Sequence, residues 1–174
     1  WSRGLGDVYK RQAERARDMK QPPVYVLNHS QHNFNHRTTQ PDLDEIEEWT
    51  DRAAKRMYEG AGLGPTDVDI FNPYDGYSIM AQFFLEAFQW HGVKRGDAFA
   101  FYADDIRVEG PHPFCSSGGN LGNGRTRTAM YTDSIEQLRG TAGPRQVTVR
   151  AETALAAFTT PSSGGWMMFG KHPN

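Results

Sequence analysis

Apolar and polar positions along the chain alternate with two different periods. Between Pro41 and Gly62, Leu43, Ile46, Trp49, Ala53 and Met57 recur at steps of three and four, which lines one face of a helix. Asp42, Asp44, Glu45, Glu47 and Glu48 crowd its start and Arg52, Lys55 and Arg56 come later, an order that complements the helix dipole. Gly60, Gly62 and Gly64-Pro65 are expected to stop it. Ser78 to His91 is apolar nearly all round and predicts a helix buried between layers, its aromatics read as core. Glu86 inside it needs a partner or an edge position. Thr126 to Arg139 predicts a third helix, with Met130, Ile135 and Leu138 inward. Short runs at Pro22–Leu27, Val68–Phe71, Gln146–Val149, Ala154–Thr159 and Trp166–Phe169 read as strands. Asp97–Tyr102 and Ile106–Val108 flank Ala103-Asp104-Asp105 like a hairpin. The alternation of strands and helices argues for an α/β layered domain with helices covering a sheet.

Composition narrows the function classes. The 174 residues fit one domain, 12% of them aromatic, which disordered chains do not match. A net charge of -2 offers no nucleic-acid surface, and no apolar run approaches a membrane span. With no hydrophobic signal segment, a cytoplasmic protein is the default expectation. One Cys excludes an internal disulfide framework and a cysteine-rich zinc module, but leaves a catalytic nucleophile open. His29, His32 and His36 in HSQHNFNH fit no known ligand spacing, so a solvated loop is expected there rather than a metal site. Residues 1–12 lack an initiator Met and resemble translated sequencing-adapter read-through, so they are set aside as non-native. They carry a net +2, which leaves -4 for the remainder.

Three segments bear chemistry. NPYDGY at 72–77 sits where a strand meets the buried helix, the strand edge where α/β sheets bind ligands. Tyr74 there can give a proton or a hydrogen bond and Asp75 can orient it. The plainer reading is a turn with Asp75 as helix N-cap. SSGGNLGNGR at 116–125 is glycine-rich backbone close to a helix start, suited to an anion or a thioester oxygen. It is neither a Walker A loop nor a GxGxxG fingerprint. PSSGG at 161–165 is by itself only a hairpin turn.

In order and separation these segments resemble the C-terminal half of the thiolase superfamily, nearest to the sterol-carrier-protein thiolases and the adjoining lipid-transfer-protein branch. AGLGPTDVDIFNPYDGY is similar to that branch's active-site strand–helix element. PFCSSGGNLGNGR resembles its Pro-x-Asn-x-Ser-Gly-Gly loop. IEQLRGTAGPRQV is similar to the family's Glu-x-x-x-Gln-Leu-Arg-Gly-x-Ala-Gly-x-Arg-Gln-Val pattern, the most specific match. The resemblance implies the C-terminal repeat of a layered α/β/α/β/α fold, a mixed sheet covered by helices. It divides the chain into 13–40, the tail of an N-terminal half and a linker, and 41–174, the C-terminal domain. It also implies a CoA thioester as substrate, no cofactor and no metal. The expected partners are a second copy, a thiolase-like homologue or a small zinc-ribbon/OB-fold accessory protein.

The departures decide the expected chemistry. The branch's His-Asp-x-Phe is Tyr74-Asp75-Gly76-Tyr77 here, and Gly-His-Pro is Gly124-Arg125-Thr126. The C-terminal Cys-x-Gly element is replaced by a run ending Ser162-Ser163-Gly164-Gly165. Cys115 stands where the loop usually carries Asn, so it matches neither family nucleophile. Claisen chemistry needs a base near neutrality, and neither Tyr nor Arg supplies one as His does. Tyr in place of His resembles the aldolase-type members, which cleave β-hydroxyacyl-CoA by retro-aldol reaction. Tyr74 matches one tyrosine of that pattern, and Arg125, suited to holding an oxyanion, stands where the second is expected. Tyr74, Asp75 and Arg125 are the catalytic candidates, and Cys115, Gly118, Gly119, Gly124, Gly164 and Gly165 line the thioester pocket. A non-catalytic binding subunit and an acetyltransferase with unusual residues are the alternatives.

Overall fold

In the computed structural model the described residues are 15–33, 42–103, 105–124, 128–157 and 163–173. The chain enters through strand β1 (Tyr25–Asn33) and helix α1 (Leu43–Ala61). The acidic start of α1 is a reciprocal cap. Asp42 accepts from the Glu45 N–H at 2.8 Å, and the Glu45 carboxylate accepts from the Asp42 N–H at 3.2 Å. Gly62, at φ +65°, ends the helix in the left-handed region. Ile46, Trp49, Ala53 and Met57 are buried as the spacing predicts, whereas Leu43 in the first turn is exposed. Gly60 does not stop the helix. It sits inside the last turn, where a side chain would collide with the Asn28 amide. That amide bridges β1 to the Arg56 and Met57 carbonyls at 3.0 and 3.1 Å.

Strand β2 (Ile70–Asn72) leads to helix α2 (Ser78–Phe88), then to the short helices α3 (Ala98–Tyr102) and α4 (Gly119–Asn123). Helix α5 (Ala129–Arg139) and strands β3 (Thr153–Ala157) and β4 (Ser163–Gly170) complete the fold. The sheet order is β1-β4-β3-β2. β2 runs parallel to β3, and β4 is antiparallel to both β3 and β1, so the sheet is mixed. Trp166 meets Phe84 and Phe88 of α2 at 4.9 and 4.6 Å between ring centroids. Phe169, on the opposite face of β4, meets Tyr131 of α5 at 6.2 Å. Helices therefore cover both faces of the sheet, as expected. No described helix is long and apolar enough to cross a membrane.

The secondary structure departs from expectation at four places. Residues 97–108 form α3 and a loop, not a hairpin. The Ala98 N–H is held by Glu86 at 3.2 Å, which gives the half-buried carboxylate the partner it was expected to need. Phe101 packs on Trp90 at 5.7 Å, and Tyr102 on Phe114 at 5.6 Å. Residues 146–149 form no strand, because the Val147 N–H is taken by Gln137 at 2.9 Å. His29 and His32 lie in β1 rather than in a loop, and His36 lies outside the described residues. β1 itself comes from the segment assigned to the linker and is paired to β4 from Tyr25 to Asn33. Residues 161–162 of the expected turn lie outside the described residues, while 163–165 already belong to β4.

Phe71 of β2 touches Phe88, Trp90 and Phe114 at centroid distances of 5.3, 5.7 and 5.6 Å, and it is fully buried. Phe71→Ala is expected to remove about 3–5 kcal/mol of stability. Urea unfolding would show this as a lower midpoint at an unchanged slope.

Candidate functional site

Two distant segments meet at the C-terminal end of β2. Phe114 forms a parallel bridge with Phe71. The Cys115 N–H donates to the Phe71 carbonyl at 2.8 Å, so the strand edge is continued by residues 113–115. The glycine-rich loop then turns over the end of β2, against Asp75. Between 115 and 124 four residues take positive φ: Cys115 at 54°, Gly118 at 78°, Gly119 at 59° and Gly124 at 74°. β4 begins at the same end of the sheet, since Ala157 pairs with Trp166 and Asn72 with Ala156. Gly164 and Gly165 therefore share this edge, from within the ladder opposite His32 and Gln31.

A buried polar network fixes that geometry. The Asn72 Nδ2 donates to Ser116 Oγ, Asp133 Oδ2 and Ser134 Oγ at 3.2, 3.1 and 3.1 Å, and its Oδ1 accepts from the Ser117 N–H at 3.2 Å. Asp133 also accepts from the Ser116 hydroxyl at 2.6 Å and pairs with Arg145. Gln137 donates to the Arg145 carbonyl at 2.6 Å.

The site residues fall on this frame as follows. Tyr74 is buried, and its ring lies across Gly76, where any side chain would overlap the phenol. Its hydroxyl makes no hydrogen bond among the described residues. Asp75 is also buried, but it neither caps α2, whose N-cap is Tyr77, nor bonds to Tyr74. Its Oδ1 accepts from the Asn120 N–H, and its Oδ2 lies where a Cβ on Gly119 would sit. Burial first, and the Asp75 carboxylate second, push the Cys115 thiol well above the ordinary thiol range. It is held as a thiol, not a thiolate. Tyr102, which sequence reasoning missed, belongs to the same corner. Burial, then Cys115, then Asp75 hold its phenol protonated beyond the ordinary tyrosine range. Gly118 and Gly124 frame α4, while Arg125 lies outside the described residues. Among the described residues, no three metal-ligating side chains converge.

A family model described as thiolase C-terminal domain-like matches residues 30–169. This chain belongs to that family. The thiolase-like domain is 32% identical over 164 residues to 17-hydroxy-3-oxo-4-pregnene-20-carboxyl-CoA lyase of Mycobacterium tuberculosis, over 87% of this chain and 40% of that protein. It is 30% identical over 152 residues to acetyl-CoA acetyltransferase of Methanothermobacter thermautotrophicus, over 84% of this chain and 39% of that protein. With sterol carrier protein 2 of Rattus norvegicus it shares 34% identity over 99 residues, 55% of this chain and 18% of that one. A solved structure, the Ltp2-ChsH2(DUF35) aldolase, shares the fold at a TM-score of 0.76 and 23% identity, over 90% of this chain and 42% of that chain. The domain thus spans about two fifths of the length of the first two relatives.

The run that carried the resemblance, IEQLRGTAGPRQV, turns out to be framework. Gln137 and Arg145 of that run enter the network, and the Gln137 side chain also holds Val147. Asp133 and Gln137 stand four apart on α5, on the side that also buries Met130. Polar residues at core spacing were the signal that would have located the network.

Two outcomes are expected. Gly119→Ala forces a methyl group into the Asp75 carboxylate at a left-handed φ, so the domain should lose about 2–3 kcal/mol or more in chemical denaturation. Since the Cys115 pKa is raised, its thiolate fraction at pH 7–8 is smaller than that of a free thiol. Iodoacetamide should label Cys115 more slowly than glutathione at the same pH, and Asp75→Asn should speed the labelling, measured by mass spectrometry.

Proposed function

We propose that this domain is part of a thiolase-like enzyme that makes or breaks a C–C bond next to a CoA thioester by aldol-type chemistry. The carrying observation is Tyr74, just beyond the end of β2 and next in sequence to Asp75. The Tyr74 hydroxyl lies against Gly76 and makes no hydrogen bond among the described residues. A free phenol stands in that place, and the only thiol of the chain is held protonated. A relative that is a CoA lyase supports the same reading.

In the cleavage direction the substrate is a β-hydroxyacyl thioester. The Cα–Cβ bond breaks, its electron pair passes into the thioester enolate, and the β-hydroxyl proton leaves as the new carbonyl forms. Tyr74 takes up that proton as its own phenol proton passes to the enolate carbon, so the phenol is restored. Gly118, Gly119 and Arg125 shape the thioester pocket, with Cys115, Gly124, Gly164 and Gly165 along its wall. Asp75 holds the loop in place through Asn120 and Gly119. A cytosolic setting and a heteromeric assembly are parts of the same proposal. The fold match to the Ltp2-ChsH2(DUF35) aldolase supports the assembly.

Tyr74→Phe, made in the protein as it occurs with any partner it purifies with, should lower turnover of a β-hydroxyacyl-CoA by roughly 10²–10⁴-fold. Wild-type turnover in that variant would end the role. Stable association with a partner and no turnover of any acyl-CoA by the wild type would favour a binding subunit instead.

A further inference from the structure

Asn120 is the first residue after the Gly118-Gly119 pair, and its backbone N–H donates to Asp75. Asn120 is 8% exposed, and among the described residues neither Oδ1 nor Nδ2 has a hydrogen-bond partner. A buried carboxamide in that state has lost water on both its donor and its acceptor side and gained nothing in return. The neighbouring network shows that this fold satisfies buried amides elsewhere: Asn72 and Gln137 are both fully engaged. The unpaired amide is therefore specific to one corner, that of Asp75 and the glycine-rich loop, next in sequence to the unbonded Tyr74 hydroxyl.

We propose that Asn120 is a substrate-binding residue that reads the β-hydroxyacyl end of the thioester, Nδ2 donating to the thioester carbonyl and Oδ1 accepting from the β-hydroxyl. This rests on the acyl-CoA reading above. A carboxamide presents one acceptor and one donor side by side. A β-hydroxy carbonyl group presents the complement, also side by side. The amides of the CoA arm do not, because a trans amide points its N–H and C=O in opposite directions. A site with such a pair also rejects a chain that lacks the hydroxyl, since Oδ1 would then stay buried and unpaired.

The test is calorimetric binding of 3-hydroxybutyryl-CoA and butyryl-CoA to the wild type and to Asn120→Leu, in the protein as it purifies. Asn120→Ala serves as the second variant should the branched side chain not be accommodated. The wild type should prefer 3-hydroxybutyryl-CoA by about tenfold or more. The variants should lose that preference, with the larger loss of affinity on 3-hydroxybutyryl-CoA, since the Nδ2 bond to the thioester carbonyl is common to both ligands. Equal wild-type affinity for the two ligands would overturn the proposal, as would a preference that survives both substitutions. An equal loss on both ligands would assign Asn120 to the CoA arm and overturn it as well. Binding of neither ligand by the wild type would remove the acyl-CoA reading, and this proposal with it.

Discussion

One wholly buried carboxamide joins the three pieces of chain that make the site. Asn72 ends β2, and its single side chain bonds Ser116 and Ser117 of the glycine-rich loop and Asp133 and Ser134 of α5. Behind it, the Asp133 carboxylate is met by Ser116, Gln137 and Arg145. Groups this deep are tolerated only when each has its partners, and loss of one member of such a set costs about 3–5 kcal/mol. The loop is thus not free to choose its path. With Ser116 and Ser117 pinned, Cys115 and the two glycines after them must take left-handed backbone to make the turn. The same turn presses Gly119 onto Asp75, which makes glycine obligatory there for want of both space and torsional freedom.

Much of the frame was legible because its determinants are local. The capping acids, the three-and-four spacing and Gly62 define α1 within a few residues, and the tripartite match around Tyr74, Gly118 and Gln137 located the family. Where determinants are distant, the reading failed. Ala98, Phe99, Ala100 and Phe101 alternate small and large, which mimics a strand. Tertiary contacts of Phe101 with Trp90 and of Tyr102 with Phe114 override that pattern. Val147 has strand-like neighbours, yet its N–H belongs to Gln137, ten residues back. Asp75 looked like a cap because a helix follows it. Its carboxylate is claimed instead by Asn120, 45 residues on, a partner that no local pattern reveals.

The electrostatics of the corner constrain what reaction it can host. Asp75 supplies a buried carboxylate, and its field works against any second anion nearby. It contributes to keeping the Cys115 thiol and the Tyr102 phenol protonated. A covalent mechanism that begins with a thiolate at Cys115 would have to overcome both burial and that charge. An enolate formed beside Asp75 would meet the same repulsion, unless neutral donors stood between them. Asp75 directs one oxygen to the Asn120 N–H and the other against Gly119, so its charge is turned toward the loop backbone. Tyr74 stands next to it in sequence and Asn120 holds it through the backbone, and among the described residues neither the Tyr74 hydroxyl nor the Asn120 carboxamide has a hydrogen-bond partner. In the proposed reaction the carboxylate therefore acts on the protein, by holding the loop, while uncharged donors meet the developing negative charge. Exchanging His for Tyr74 would return a titratable cation to the corner and pair it with Asp75, which would draw the carboxylate away from the loop it secures.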